Sequence, residues 1–488
     1  MLQDYFKQFR ENIIGINQTF ESPFGTQKII YTDWTASGRM YQKIEDTLLQ
    51  KFYPFVANTH TETTQTGSSM TVAYHKAQHI IKEHVNASNN EVLITCDAGM
   101  TGAINKFQRI LGFRIHEKFK NQVTIPENER PIVFVTHMEH HSNQTSWLET
   151  IAEVVVINPT KDGLVDLEHL KELLQQYKNR TKKIAAITSC SNVTGIFTPY
   201  HQIAAIMHQN NGLCFVDFAC SAPYINIDMN PKNADEKLDA IYFSPHKFLG
   251  GPGTSGVLIF DSNLYTNKIP DNPGGGTVEW TNPWGEHEYV ANIEAREDGG
   301  TPGFLQVIRT ALSIQLKNNM GVENMLKREH ELLDMVWSEL EEVSNLHILA
   351  NNIKDRLSIV SFYIDDLHYN LAVKLLNDKF GIQTRGGCSC AGTYGHYLLN
   401  VDKDFSHSIT SEISCGILDK KPGWVRMSLH PTTTNEELNF ALEALKELAK
   451  NHKDWAKDYS YNSSTNEYKH VKEEKDLLYN TVNDWFNY

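Results

Sequence analysis

Short apolar runs alternate with segments of helical spacing between residues 92 and 260 of this chain. Each run holds four or five residues, the length of a strand rather than of a helix. The runs lie at 92–95, 132–135, 154–157, 184–188, 213–216, 240–243 and 257–260. Such runs, separated by helices, are typical of a mostly parallel sheet with helices on both faces. The pattern therefore predicts an α/β fold with a ligand site at the loops that follow the strands.

The composition narrows the class of protein. With 488 residues, 40% hydrophobic and 21% charged, the chain has the make-up of a large soluble globular protein. A net charge of −14 argues against nucleic-acid binding, which needs clustered lysine and arginine. No apolar run is long enough to span a membrane, and the N-terminus lacks the pattern of a secretory signal. Seven sparse cysteines do not resemble a disulfide framework, so we expect a reducing cytoplasm.

Segments outside this region predict the domain organisation. Residues 58–69 and 271–303 read as loops, and helices are predicted at 72–84 and, as one long element, at 311–343. Beyond them, apolar runs and helical patterns predict a smaller α/β domain, at 358–363, 371–380, 424–429 and 435–448. The predicted units are an N-terminal segment that packs with the small domain (1–40), a large domain (41–320), the small domain (321–450) and an appendage (451–488).

One lysine stands out in the sequence. Lys247 follows a polar turn that begins at Ser244 and precedes a glycine-rich loop. Lysine is costly to bury unless it loses its charge or bonds covalently, and glycine lets backbone approach a ligand closely. These features suit a lysine that forms a Schiff base with pyridoxal phosphate (PLP). An ordinary lysine on a surface turn is the alternative.

Two loops after predicted strands carry residues suited to such a cofactor. After the run at 92–95, Gly99, Met100 and Thr101 open a helix whose free N–H groups and positive end favour phosphate. A plain N-cap by Thr101 is the alternative. After the run at 213–216, Asp217 can hold a pyridinium N–H, which keeps the ring an electron sink. The other interpretation of Asp217 is a carboxylate that caps a helix.

Two further strand ends carry polar groups. His140 and His141 follow the run at 132–135, and a flat imidazole there can stack on a ring or move a proton. A lone histidine is usually structural, but a pair in such a loop is less often so. Asn192 follows the run at 184–188 in a turn whose amide can reach a ring hydroxyl. These residues extend the predicted site along the same edge of the sheet.

The small domain carries a candidate nucleophile. Cys390 lies with Cys388 and Arg385 in a glycine-containing stretch, which predicts an exposed and mobile loop. A neighbouring cation favours the thiolate, the reactive form of cysteine. The rival interpretation is a Cys-x-Cys metal site, which needs two more ligands. The nearest candidates in sequence are Cys415, His396 and His407.

Arg426 is the second cation of this domain. It lies in the predicted strand at 424–429, between apolar neighbours. A planar guanidinium suits bidentate capture of a substrate carboxylate. A structural ion pair is the alternative.

Taken in chain order, these residues resemble the class V aminotransferase fold family. The similarity covers roughly residues 28–450. It is carried by Asp217-x-Ala219, Ser244-x-His246-Lys247, Arg385-x-Gly-x-x-Cys390-Ala and Val-Arg426-x-Ser-Leu. Within the family, the chain is most similar to the branch of cysteine desulfurases and selenocysteine lyases. The resemblance implies the type I fold of PLP-dependent transferases, with a mostly parallel seven-stranded sheet in the large domain.

The resemblance also implies roles for the residues. Lys247 would form the Schiff base and move the proton, Asp217 would pair with the ring nitrogen, and His140 would lie over the ring, with His141 as the alternate. The other implied cofactor contacts are Ala219, Asn192, Gly99, Met100, Thr101, Ser244, His246 and, reaching the neighbouring subunit of a homodimer, Thr301. The implied substrate contacts are Arg426, Arg385, Ala36 and Asn192. Cys390 would take the sulfur of L-cysteine as a persulfide and pass it to a sulfur-acceptor protein.

Three departures from the family pattern leave the substrate open. Cys220 stands where the family often has glutamine, and the turn that begins at Cys96 replaces a compact Gly-Thr-Thr. The active loop also carries a second thiol, Cys388, and a longer segment separates it from Arg426. The first alternative is therefore another PLP enzyme, such as an aminotransferase, an epimerase or a different lyase. The second alternative is a scaffold that keeps only the fold.

Overall fold

A seven-stranded sheet forms the centre of the structure, a computed structural model that describes residues 2–59, 61–96, 98–419, 421–473 and 477–487. Its strands, in order across the sheet, are β4 (Glu91–Cys96), β10 (Gly256–Asp261), β9 (Ala240–Phe243), β8 (Leu213–Asp217), β7 (Lys183–Thr188), β5 (Ile132–Thr136) and β6 (Glu153–Ile157). β10 is antiparallel to both of its neighbours, and the other pairs are parallel. The predicted mostly parallel sheet of an α/β fold is therefore confirmed.

Helices and smaller sheets surround this centre. The helices are α1 (Leu2–Arg10), α2 (Gln42–Thr47), α3 (Gln65–His84), α4 (Gly99–Ile110), α5 (His141–Leu148), α6 (Leu167–Gln176), α7 (Tyr200–Gln209), α8 (Ile293–Glu297), α9 (Phe304–Met320), α10 (Val322–Leu340), α11 (Tyr369–Phe380), α12 (Gly392–Leu398), α13 (Lys403–Ser414), α14 (Asn435–Trp455) and α15 (Leu477–Asp484). An antiparallel sheet contains, in order, β13 (Leu346–Ile348), β14 (Ile359–Ile364), β17 (Trp424–Ser428) and β16 (Arg385–Gly387). The remaining strands pair two by two: β1 (Thr19–Ser22) with β2 (Gly25–Lys28), β3 (Ile30–Tyr31) with β15 (Ile382–Gln383), β11 (Val278–Thr281) with β12 (His287–Tyr289), and β18 (Tyr459–Asn462) with β19 (Glu467–His470).

The central strands are apolar on both sides because both faces of the sheet are covered. In β5, Phe134 packs into the cluster on one face, while Val133 and Val135 pack into the cluster on the other face with Phe107 of α4. Side chains of a strand alternate between faces, so a strand buried on both sides reads as an unbroken apolar run. A third cluster fills the space between the antiparallel sheet and helices α10, α11 and α14. In the described part of the chain, no helix is long and apolar enough to cross a membrane.

The structure corrects four expectations about secondary structure. The segment at 271–303, predicted as loops, contains β11, β12 and α8. The long helix predicted over 311–343 is two helices, because Gly321 adopts a φ of +75° between α9 and α10. α3 begins at Gln65, inside the predicted loop at 58–69, because the Thr64 hydroxyl caps it by accepting the Gly67 N–H. α14 continues seven residues past its predicted end to Trp455.

The N-terminal segment and the appendage both contact the antiparallel-sheet half of the molecule. β3 pairs with β15, and Arg10 forms an ion pair with Glu437 of α14. In the appendage, Asn466 of the β18–β19 turn hydrogen-bonds the Tyr369 hydroxyl of α11 (2.8 Å). Residues 474–476 and 488 of the predicted appendage lie outside the described residues. The division of the chain into four units stays a prediction.

Candidate active site

A cavity of about 410 Å³ lies where the central strands end and the antiparallel sheet faces them. This volume is in the range of small-molecule sites. The cavity is lined by every predicted site residue except Thr301, namely Ala36, Gly99, Met100, Thr101, His140, Asn192, Asp217, Ala219, Ser244, His246, Lys247, Arg385, Cys390 and Arg426. Loops far apart in sequence thus meet at the edge of the sheet where the strand pattern predicts a ligand site.

Lys247 and Asp217 are the charged pair of this cavity. Lys247 ends a single 3₁₀ turn, Pro245–Lys247, directly after β9, and its amine has no hydrogen-bond or ion-pair partner among the described residues. Burial lowers the pKa of Lys247, against the opposing influence of Cys220 and Asp217. Burial raises the pKa of Asp217 to about 6, and its Oδ1 accepts the Ala219 N–H (2.8 Å). The site therefore holds an amine that loses its proton readily and a carboxylate that gains from a cationic partner.

His140 is a neutral imidazole at the cavity wall. It caps α5, and its Nδ1 accepts the Ser142 N–H (3.1 Å), so the neutral ring carries its proton on Nε2. Burial, followed by the charge of Lys247, lowers the pKa of His140 to about 3. His141 does not line the cavity; its Nε2 instead accepts the Gly392 N–H (2.9 Å). The geometry favours His140 over its alternate.

The N-terminus of α4 opens into the cavity. Ala98 is its N-cap residue and offers no capping side chain, so the Gly99 and Thr101 N–H groups have no partner among the described residues and can bind an anion. Ser244 accepts the Met100 N–H through Oγ (2.9 Å), which leaves the Ser244 hydroxyl hydrogen to donate. The Thr101 hydroxyl lies 2.7 Å from that of Ser142. Backbone and hydroxyl donors together form a surface suited to phosphate.

The Cys390 loop is held in place by hydrogen bonds. Asn192 donates from Nδ2 to the Ser389 carbonyl (2.7 Å), and the His141 N–H donates to the Cys390 carbonyl (2.7 Å). Ser389 and Cys390 adopt φ values of +50° and +58°, which is uncommon outside glycine. The expectation of an exposed, mobile loop is therefore wrong in its first part: Cys390 is half-buried and faces the cavity. The anchors come from the turn after β7 and from the start of α5, two contacts that the sequence could not show.

The two arginines of the site differ in their partners. Arg426 is buried, donates through one terminal nitrogen to Asp33 (2.7 Å) and through the other to the Asn192 carbonyl (3.0 Å), and leaves Nε without a partner among the described residues. Arg385 is exposed on one side, and its guanidinium has no hydrogen-bond or ion-pair partner in the described part of the chain. Arg426 thus forms the ion pair that was the alternative interpretation of this residue. Arg385 is the cation with more free donors for a ligand.

Several cavity residues were not predicted. They include Thr254, whose hydroxyl is buried and unpartnered within the described residues, and Cys190, Thr188, Ser142 and Ser389. Thr254 was within reach of sequence reasoning, because it lies in the glycine-rich loop after Lys247. Nothing in the sequence marks Cys190 as a cavity residue, since a cysteine at the end of an apolar strand is usually interpreted as part of the hydrophobic core.

Thr301 and Cys388 lie apart from the cavity lining. Thr301 is exposed, with its hydroxyl 3.5 Å from the Asn58 side-chain oxygen. Its predicted contact is with a neighbouring subunit, and that contact stays a prediction. Cys388 is half-buried and packs against the apolar cluster. Among the described residues, no group of three or more His, Cys, Asp or Glu side chains is arranged to hold a metal ion.

Comparisons with known proteins agree on the family of the chain. The family described as aminotransferase class-V matches residues 30–440. A probable cysteine desulfurase from Staphylococcus epidermidis is 28% identical over 376 residues, which cover 76% of this chain and 85% of the relative. A probable cysteine desulfurase from Halalkalibacterium halodurans is 27% identical over 371 residues, covering 74% and 84%.

Solved structures share the fold. The apo cysteine desulfurase from Thermococcus onnurineus superposes with a TM-score of 0.72 at 21% identity, covering 91% of this chain and 98% of the other. A cysteine desulfurase from Escherichia coli in an S-sulfonic acid form has a TM-score of 0.69 at 20% identity, with the same coverage. At such identities the likeness establishes the fold.

Proposed function

The chain belongs to the class-V aminotransferase family, and we propose that it is a PLP-dependent cysteine desulfurase. The proposed reaction converts L-cysteine to L-alanine and leaves a persulfide on Cys390. The observation that carries the proposal is the single cavity in which Lys247, Asp217 and Cys390 meet. The relatives named as cysteine desulfurases support the choice of substrate.

The polar groups of the cavity fit PLP. The Thr254 hydroxyl, the Ser389 hydroxyl and Arg426 Nε are buried and have no partner among the described residues. Buried polar atoms are rarely left unpaired, so three of them around one cavity favour a polar ligand. The start of α4, with Ser244 and Thr254, would hold the phosphate. Asp217 would hold the ring nitrogen, and Lys247 supplies the amine for the aldehyde carbon.

Bound PLP would supply the electron sink that stabilises charge at the substrate α-carbon. The residues of the chain orient the substrate and move its protons. Lys247 Nζ can take the α-proton, because burial favours its neutral form. Arg385, with Arg426 Nε, would hold the carboxylate, and bidentate guanidinium pairing fixes the direction of the amino acid. His140 stays neutral and presents an N–H donor from Nε2.

Cys390 is the proposed sulfur acceptor. A bond forms between Cys390 Sγ and the sulfur of the substrate as the substrate C–S bond breaks. The electron pair of that bond stays on the carbon skeleton, which takes up a proton and leaves as alanine. The hydrogen bonds from Asn192 and His141 hold the loop, and a preorganised nucleophile lowers the entropic part of the barrier.

Partners and compartment form part of the proposal. We propose a homodimer, supported by the exposure of Thr301 in a segment that the family resemblance assigns to the neighbouring subunit. A sulfur-acceptor protein would discharge Cys390. A cytoplasmic location is supported by the seven cysteines, all of which are free thiols.

The test is release of alanine and sulfide from L-cysteine by the PLP-loaded protein in the presence of a thiol reductant. Cys390→Ser should abolish sulfide release and keep the cofactor absorbance. Cys388→Ser, two residues away, is the matched control and should keep most of the activity. No release by the parent protein, together with an absorbance that still responds to other amino acids, would refute the proposal. An aminotransferase, epimerase or other lyase would then lead.

A further inference from the structure

Two cysteines without a role in the proposed reaction lie side by side in the cavity. Cys190 follows β7 and Cys220 follows β8, and both line the cavity although their exposed fractions are only 0% and 5%. Their sulfur atoms share one neighbour, lying 3.8 Å and 3.6 Å from the Ser191 carbonyl oxygen. The Cys190 thiol also donates to the Gly195 carbonyl (3.2 Å). The two thiols are therefore neighbours at the wall of the cavity, and Cys220 is the more exposed of the two.

Their surroundings make the two sulfurs chemically different. In the protein without PLP, the neighbouring Cys190 thiol, and then the charges of Lys247 and Arg426, lower the pKa of Cys220. Burial, and then Cys220, raise the pKa of Cys190. A thiolate is the reactive form of cysteine, and a neighbouring protonated thiol is the arrangement of a resolving partner. Cys220 is thus suited to attack an oxidant and Cys190 to close the bridge.

We propose that Cys190 and Cys220 form a redox-active dithiol site that a small hydroperoxide oxidises to a disulfide. The Cys220 thiolate attacks the terminal oxygen of the hydroperoxide, so an S–O bond forms, the O–O bond breaks and the alkoxide leaves. The alkoxide takes the proton of Cys190 and becomes the alcohol. The Cys190 thiolate then attacks the Cys220 sulfur, an S–S bond forms, and hydroxide leaves and takes a solvent proton to become water. Two electrons pass from the sulfurs to the peroxide oxygen.

Oxidation at this site would reach Lys247. The Cys220 thiolate opposes the fall in the pKa of Lys247, and in a disulfide that charge is absent. The pKa of Lys247 should therefore fall further in the oxidised protein. The cavity wall beside Asp217 would also move, because an S–S bond of about 2.05 Å is shorter than any contact between two thiols.

The experiment is a peptide map of the full chain after oxidation. The reduced full-length protein, before PLP is added, is treated with stoichiometric hydrogen peroxide, blocked with an alkylating reagent while unfolding, and digested without reductant. The expected product is a peptide pair that joins Cys190 to Cys220 with the loss of two hydrogens and separates on reduction. Cys214 is the internal control, because it is fully buried, does not line the cavity and should stay alkylatable. The Cys220 thiol should be consumed at least about tenfold faster than Cys214.

A variant separates the two steps. In Cys190→Ala the oxidised Cys220 has no resolving thiol and should accumulate as a sulfenic acid that a 1,3-diketone reagent labels. Cys190→Ser serves the same purpose if the alanine variant does not fold, and the map of the parent protein needs no variant. Full alkylation of Cys190 and Cys220 after peroxide, with oxidation confined to Cys388, Cys390 or Cys415, would overturn the proposal. A bridge from Cys220 to Cys390 instead of Cys190 would overturn it as well.

Discussion

Gly256 is the residue on which the phosphate end of the cavity depends most directly. It begins β10 and packs against the start of α4, so that a Cβ at this position would lie 2.0 Å from the Gly99 carbonyl oxygen. Ordinary contacts begin at 3.4 Å. In Gly256→Ala the helix start would therefore have to move by roughly 1.4 Å. Overpacking against backbone costs about 1–3 kcal/mol of folding free energy. The same shift would misplace the N–H groups that we assign to the phosphate.

The expected result is a selective loss of affinity. PLP should bind Gly256→Ala at least about tenfold more weakly, which corresponds to about 1.4 kcal/mol. Pyridoxal, which lacks the phosphate, should lose little affinity, because Lys247 and Asp217 do not contact the displaced backbone. Titration of the cofactor absorbance with both ligands measures the two affinities. Gly275→Ala is the matched control, since a Cβ there meets no atom within 4 Å. Equal losses for PLP and pyridoxal, or none for either, would refute the assignment of this end of the cavity.

Three further predictions concern other parts of the molecule. Both terminal nitrogens of Arg426 are engaged, so Arg385 is the cation that remains to hold the substrate carboxylate. Arg385→Ala should therefore raise the KM for L-cysteine by about 10- to 100-fold in steady-state kinetics. Its PLP affinity, measured by absorbance titration, should stay unchanged. Burial lowers the pKa of His430 to about 3. Below about pH 6.5 this histidine therefore binds a proton in the unfolded chain but not in the folded chain, which lowers the free energy of unfolding. His430→Gln should therefore lessen the loss of unfolding free energy between pH 7.5 and pH 5 by about 2 kcal/mol in urea denaturation; an unchanged slope would contradict this. Asn466 has a φ of +59°, so Asn466→Ala should lower the melting temperature more than Asn466→Gly, which keeps the conformation and loses only the side-chain bonds to Tyr369 and Tyr461.

The periodicity of the sequence was sufficient to predict the central sheet and the strand ends whose residues line the cavity. The apolar run at 213–216 forms a buried strand that ends at Asp217, because a run of this length is typical of a sheet covered on both faces. The polar turn that begins at Ser244 ends at Lys247, as the sequence indicates. The helix break at Gly321 was missed, because apolar spacing continues across the glycine. Gly321 ends α9 with a positive φ and donates its N–H to the Lys317 and Asn318 carbonyls, which is a local signal that the apolar pattern outweighed.

The contacts between distant loops could not be predicted. Cys190 and Cys220 are thirty residues apart and meet because β7 and β8 are neighbours in the sheet. The burial of Cys390 depends on the hydrogen bond between Asn192 and the Ser389 carbonyl, which joins the two halves of the cavity. Neither contact follows from a repeating pattern in the sequence. Each depends on the order of the strands in the sheet and on which side chains are buried, and both are set by the complete fold.

The segment from Thr32 to Gly38 explains why the two halves act as one site. Ser428, in β17 beside Arg426, donates its N–H to the Thr32 carbonyl (2.7 Å), and Asp33 pairs with Arg426 itself. At its other end, Gly38 donates its N–H to the His246 carbonyl (2.9 Å). A Cβ at Gly38 would lie 1.9 Å from the Phe248 carbonyl oxygen, so this close approach to the Lys247 turn requires glycine. The segment thus connects Arg426 and Lys247, which we assign to the substrate and the cofactor, through one short piece of backbone. Displacement of either end would be transmitted to the other.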